Sequence, residues 1–147
     1  MSSEKPERTP EPFKYWAFIC YSHSDEKWAT WLHRKLETYR VPKRLVGKQG
    51  RNGIEIPKRA FPIFRDREEL PGSSNLTESI ERALRDSLYL IVICSPRAVQ
   101  SKWVDQEIRM FKAWDREDRV LCLVIEGEPN AMLHPELGQP ECLPESV

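Results

Sequence analysis

The chain alternates between short continuous apolar runs and stretches where apolar residues recur every three to four positions, a pattern that predicts strands and helices in turn. Tyr15 to Tyr21 (YWAFICY) is aromatic and branched throughout, as expected of a strand buried on both faces. Across Glu26 to Tyr39, Trp28, Leu32, Leu36 and Tyr39 recur at helical spacing, and Ser24 and Asp25 stand where a cap is needed. Phe61 to Arg65 (FPIFR) predicts a second strand. Leu76, Ile80 and Leu84 then form the stripe of a second helix, opened by Asn75 with Glu78 three residues on. Leu88 to Cys94 (LYLIVIC) is the most apolar stretch and predicts a central strand. Ser95-Pro96 stops it and opens a short helical turn, since Ser suits the cap and Pro the first helical position. Ser101 caps a helix over Lys102 to Trp114, and Arg119 to Ile125 (RVLCLVI) predicts a fourth buried strand.

Strands alternating with helices imply right-handed crossovers and a parallel sheet covered on both faces, a doubly wound α/β fold. Ligands of such sheets bind beyond the carboxyl ends of the strands. That rule points to Tyr21, Ser22, Arg65, Asp66 and Ser95, and to the helix that follows Ser95. Two segments carry no period. Val41 to Arg59 mixes Pro42, Gly47, Gly50, Gly53 and Pro57 with Lys43, Arg44, Lys48 and Arg51 and reads as a long basic loop, while Gly127 to Val147 carries four prolines. Residues 1–13 predict a flexible leader and residues 14–147 the domain.

One residue breaks the amphipathic pattern. At about 100° per residue, Trp103, Met110 and Trp114 form one stripe of the Lys102 to Trp114 helix, and Val104, Ile108 and Phe111 the next. Glu107 projects between them. The other face carries Lys102, Asp105, Gln106, Arg109 and Lys112. Burial disfavours an ionised carboxylate, so Glu107 either reaches a cation at the helix edge or serves a site whose chemistry uses it.

Composition narrows the classes. A chain of 147 residues fits one domain, and 23 Lys+Arg against 23 Asp+Glu leave no global field to attract nucleic acid or an anionic membrane. No apolar run is long enough to span a bilayer. Cys20, Cys94 and Cys122 lie in strand-like runs and Cys142 in a polar tail, with no C-x-x-C pair, so they read as reduced core thiols of a cytosolic protein. No Walker-type or Gly-x-Gly-x-x-Gly loop is present, and no metal site is expected. His23 stands near the predicted crevice, and a role as base is not expected of it.

Three motifs occur together in order: FICYSHSD (Phe18 to Asp25), FRDREELPGSS (Phe64 to Ser74) and SPRAVQSKWVDQEI (Ser95 to Ile108), the last containing Ser-x-Trp-x-x-x-Glu. In this respect the chain resembles a Toll/interleukin-1 receptor (TIR) domain of bacterial type, whose fold is a flavodoxin-like doubly wound sheet. The resemblance implies an NAD+ glycohydrolase, or ADP-ribosyl cyclase, acting in bacterial immune (anti-phage) or stress signalling. It implies Glu107 as the catalytic acid, with Trp103, Tyr21, Ser22, Arg65, Asp66 and Arg67 binding substrate. NAD+ is the substrate and no cofactor is expected. The residues alone leave Tyr21 open between core aromatic and ligand contact, and Arg67 between phosphate donor and solvated loop. A homotypic TIR-TIR oligomer or filament is implied, with an effector or sensor domain in a longer parent chain. The alternative is a non-catalytic adaptor that works by assembly alone. The family's fifth strand and final helix have no counterpart in the Pro-rich tail, so an open sheet edge is expected.

Overall fold

A computed structural model describes residues 13–50, 53–65 and 78–147. Four parallel strands, β1 (Tyr15–Cys20), β2 (Ile63–Arg65), β3 (Ser87–Cys94) and β4 (Val120–Val124), form one sheet in the order β2-β1-β3-β4. Ala17 lies opposite Ile63, Phe18 opposite Leu90, and Leu90 opposite Val120. The winding direction reverses between β1 and β3, and this is where the doubly wound topology opens a crevice.

Side-chain alternation sends successive strand residues to opposite layers. Ala17, Ile19, Tyr21, Ile63 and Ile93 pack with Ala29 and Leu32 of α1 (Glu26–Thr38). Phe18, Cys20, Leu90, Val92 and Cys94 pack on the other side with α2 (Glu78–Arg85), α3 (Pro96–Gln100) and α4 (Lys102–Ala113), through Ile80, Leu84, Ala98, Val104, Ile108 and Phe111. Helices therefore cover both faces, as the run-and-period pattern predicts. The two caps read from the sequence are present: Ser95 Oγ accepts from Ala98 N at 3.1 Å, and Ser101 Oγ from Val104 N at 3.2 Å.

Four expectations are corrected. Asp25 sits at the N-cap position of α1 but makes no side-chain capping bond; its carboxylate is drawn to β3 and α3 instead. Trp28 is 44% exposed, because α1 turns Ala29, Leu32 and Leu36 toward the sheet and leaves Trp28 and Trp31 outside, edge to face at 5.9 Å. The fourth strand is the outer one and leaves Leu121 and Val124 half exposed. Cys122, expected in the core, is exposed on that outer strand, whereas Cys142 is wholly buried because the tail folds back over α3's layer. All four thiols are free. Asn75 and Leu76 lie outside the described residues.

The tail contributes short 3-10 turns at Ala131–Leu133 and Pro135–Leu137, and among the described residues no fifth strand joins the sheet. Gly127, at φ 88°, lets Glu128 N donate to Pro140 O at 2.9 Å. At the amino end of β3, the buried Arg116 donates to Arg85 O and Ser87 O at 2.8 and 3.3 Å and lies over the Phe111 and Trp114 rings.

Candidate active site

Helix α4 carries Trp103, Val104, Glu107, Ile108 and Phe111 on its buried face. Glu107 is only 1% exposed, so the side chain that breaks the apolar pattern does face the core. Cys20, the last residue of β1, places its Sγ 3.7 Å from Val104 O. The start of α4 thus rests on the carboxyl end of β1. Because α4 runs back along the sheet, Glu107 lies one turn beneath that edge, about 6 Å along the axis from Trp103. Trp103, at 5% exposed, belongs to the same apolar cluster. A carboxylate held in so dry a layer interacts with nearby charge more strongly than one in water.

At the switch point between β1 and β3, three polar side chains converge. Asp25 is 2% exposed; its Oδ2 accepts from Ser95 Oγ at 2.5 Å and its Oδ1 from Arg97 Nε at 2.7 Å. Arg97 also reaches Glu126 Oε2 at 2.5 Å, and these two acidic partners, Asp25 first, push its pKa above the usual guanidinium value. Ser95 serves twice, donating to Asp25 while capping α3. This network welds the segment after β1 to the start of α3. Asp25 and Arg97 were missed as a pair. Their only sequence signal is that each stands just beyond the end of a predicted strand.

The other residues expected at the site are distributed on both layers. Tyr21 packs in the cluster under α1, opposite the layer of Glu107. Ser22 is nearly buried at the carboxyl edge, where its carbonyl accepts from Asp25 N at 2.7 Å. Arg65 ends β2 and donates through Nη1 to Thr30 Oγ1 of α1, while its buried Nε has no hydrogen-bond partner among the described residues. Trp103 and Glu107 are therefore brought together, Ser22 stands on the rim between the layers, and Tyr21 and Arg65 lie on the α1 side. Asp66 and Arg67 fall outside the described residues. Among the described residues, no three His, Cys, Asp or Glu side chains are grouped to hold a metal, and no helix is long and apolar enough to cross a membrane.

The family model of the TIR domain matches residues 17–143, which takes in most of β1, the network at the switch point and α4. The chain belongs to the TIR domain family. Its sequence is similar to the NAD(+) hydrolase ApTIR of Actinoplanes sp., 36% identical over 116 residues. That alignment covers 78% of this TIR domain chain but only 14% of the length of ApTIR. Among solved structures, the TIR domains of the activated Roq1 resistosome directly recognizing the pathogen effector XopQ match with a TM-score of 0.46 and 15% identity, over 76% of this chain and 56% of that one.

Proposed function

We propose that this TIR domain cleaves the nicotinamide-ribose bond of NAD+ with Glu107 as the acting carboxylate, in bacterial immune, anti-phage or stress signalling. The observation that carries the reading is Glu107 itself, a carboxylate 1% exposed on the apolar face of α4, one turn from Trp103. Similarity to a protein described as an NAD(+) hydrolase supports the substrate.

The chemistry asks for what that position offers. When the bond between the ribose C1′ and the nicotinamide nitrogen breaks, its electron pair leaves with nicotinamide and positive charge develops on the ribose ring. A fixed carboxylate in a dry site stabilises that charge or holds the ribose hydroxyls. Water then bonds to C1′ and loses a proton, giving ADP-ribose; an internal nucleophile in its place gives a cyclic product. Ser22 and Arg65 are assigned to the ribose and phosphates, Trp103 to the wall that excludes water, and Tyr21, Asp66 and Arg67 to the substrate-binding set with them.

Glu107 is closed to solvent, so entry of substrate requires the rim around Trp103 to yield. Homotypic assembly is the event we assign to that opening, which makes turnover depend on protein concentration. The half-exposed outer strand β4 favours a second reading beside this one, an adaptor that assembles without turnover.

The deciding experiment follows nicotinamide release from NAD+ by the purified chain and by Glu107→Ala across a concentration series, with products separated by chromatography. Turnover that rises with concentration and disappears in the variant is expected. Equal turnover in both proteins removes the role given to Glu107. Concentration-dependent association without turnover leaves the adaptor reading.

A further inference from the structure

The balanced net charge conceals a segregation. Residues 40–59 contain seven of the 23 Lys and Arg and one of the 23 Asp and Glu, so this segment is +6 and the remainder of the chain −6. Its described residues, 40–50 and 53–59, are folded. Val41 N donates to Lys58 O at 2.9 Å, Gly47 N to Ile56 O at 2.9 Å, Ile56 N to Lys48 O at 2.8 Å and Gly50 N to Ile54 O at 2.7 Å. Gln49 and Glu55 form an antiparallel bridge, so the chain doubles back on itself and the stem brings its basic ends together.

Within this stem is a pocket of about 560 Å³ lined by Arg40, Val41, Lys43, Val46, Lys58 and Arg59. Four exposed basic side chains and two half-buried valines thus line one largely apolar pocket. Among the described residues no carboxylate forms an ion pair with any of the four. The nearby Glu37 is engaged elsewhere, accepting from Ile63 N at 3.1 Å through Oε2 and lying 3.4 Å from His33 Nε2 through Oε1. Arg59 is held in place by donating through Nε and Nη2 to Glu37 O at 3.1 and 2.6 Å, which satisfies a carbonyl at the end of α1. Four like charges on one side of a hydrogen-bonded stem give the pocket mouth a local positive potential that favours an anion.

The pocket is separate from Glu107. Glu37 binds Ile63, the first residue of β2, so this end of α1 lies at the amino ends of the strands, whereas Cys20 and Val104 mark the carboxyl ends. We propose that the pocket is a second ligand site that takes a nucleotide bearing at least two adjacent phosphates. Guanidinium and ammonium donors suit vicinal phosphates, and the two valines offer an apolar floor to the rest of the molecule. A polyphosphorylated lipid headgroup shares the phosphate chemistry. The volume, within the range of pockets that enclose a small molecule, favours the free nucleotide.

The test is calorimetric titration of the purified chain with ADP and with inorganic pyrophosphate, beside co-sedimentation with phosphatidylcholine vesicles containing phosphatidylinositol bisphosphate. Two variants are compared: Lys43→Glu/Lys58→Glu, at exposed positions on the pocket wall, and Lys27→Glu, an exposed charge change on the first turn of α1. Thermal melts that match the parent establish that both fold. ADP and pyrophosphate are expected to bind the parent and Lys27→Glu alike and to bind the double variant about ten-fold or more weakly, the loss of charge-assisted contacts. Undiminished binding by the double variant, an equal loss in Lys27→Glu, or binding to the vesicles without binding to ADP or pyrophosphate each overturns the proposal.

Discussion

Ser95 and Asp25, 70 positions apart in the chain, meet in a buried hydrogen bond of 2.5 Å at the point where the sheet reverses its winding. Asp25 looks like a helix cap in sequence, yet its carboxylate serves the opposite side of the crevice. Replacing Asp25 with Ala strands the Ser95 hydroxyl and releases Arg97. Because Arg97 is partly exposed and keeps Glu126, we expect a loss of about 2–3 kcal/mol rather than the larger cost of a fully enclosed pair. Urea denaturation of Asp25→Ala checks this, and a midpoint unchanged from the parent refutes it.

Glu107→Gln keeps the shape of the side chain and removes its charge. The replacement fills the same space in the packed layer, so the variant should stay folded while nicotinamide release is lost, read by a thermal melt beside the activity assay. A variant that keeps turnover contradicts the assignment; one that unfolds assigns Glu107 to structure.

Cys122 is the exposed member of a thiol pair. The neighbouring Cys94 thiol, opposed by partial burial, lowers its pKa to about 7, while the proximity of Cys122, with burial, pushes Cys94 up. Folding therefore favours the Cys122 thiolate, and the stabilisation it brings is present above the ordinary thiol pKa and lost as pH falls through about 7. Alkylation of Cys122 by iodoacetamide, followed by peptide mass spectrometry, should reach half its maximal rate near pH 7. Cys94→Ala should move that midpoint toward the ordinary thiol value of about 8.5. A midpoint that Cys94→Ala leaves in place disproves the pairing.

Gly127 permits the tail to cross β4's end. A Cβ there would stand 2.8 Å from Pro140 O and 2.9 Å from Cys142 Cβ, on a backbone at φ +88°. Gly127→Ala should cost roughly 1–3 kcal/mol through strain and displacement. It should also expose Cys142, which the native fold buries completely, to thiol reagents. Denaturation and labelling read the two effects separately, and an unaltered denaturation midpoint would show that the tail docks without needing this glycine.

Much of the fold was legible because most of the signals are local. The continuous run at Leu88 to Cys94 became the central strand β3, and the cap residues Ser95 and Ser101 occupy their expected places. The burial of Glu107 was legible for the same reason, since a helix wheel places it among residues that all face the core. The errors share one cause. Trp28, Asp25 and Cys122 depend on what a neighbouring element brings to them, and a linear pattern does not contain that neighbour.

The sequence by itself determined the alternation of strands and helices, the α/β class, the TIR motifs and the odd carboxylate on α4, because each is written in spacing along a single element. Only the tertiary structure decided which strand lies at the edge, which cysteine is exposed, that Asp25 bonds across the crevice, and that a basic loop folds into a stem that holds a pocket and is tied to α1 through Arg59. Those outcomes follow from which elements become neighbours, and the order β2-β1-β3-β4 joins residues whose sequence separation carries no sign of their contact.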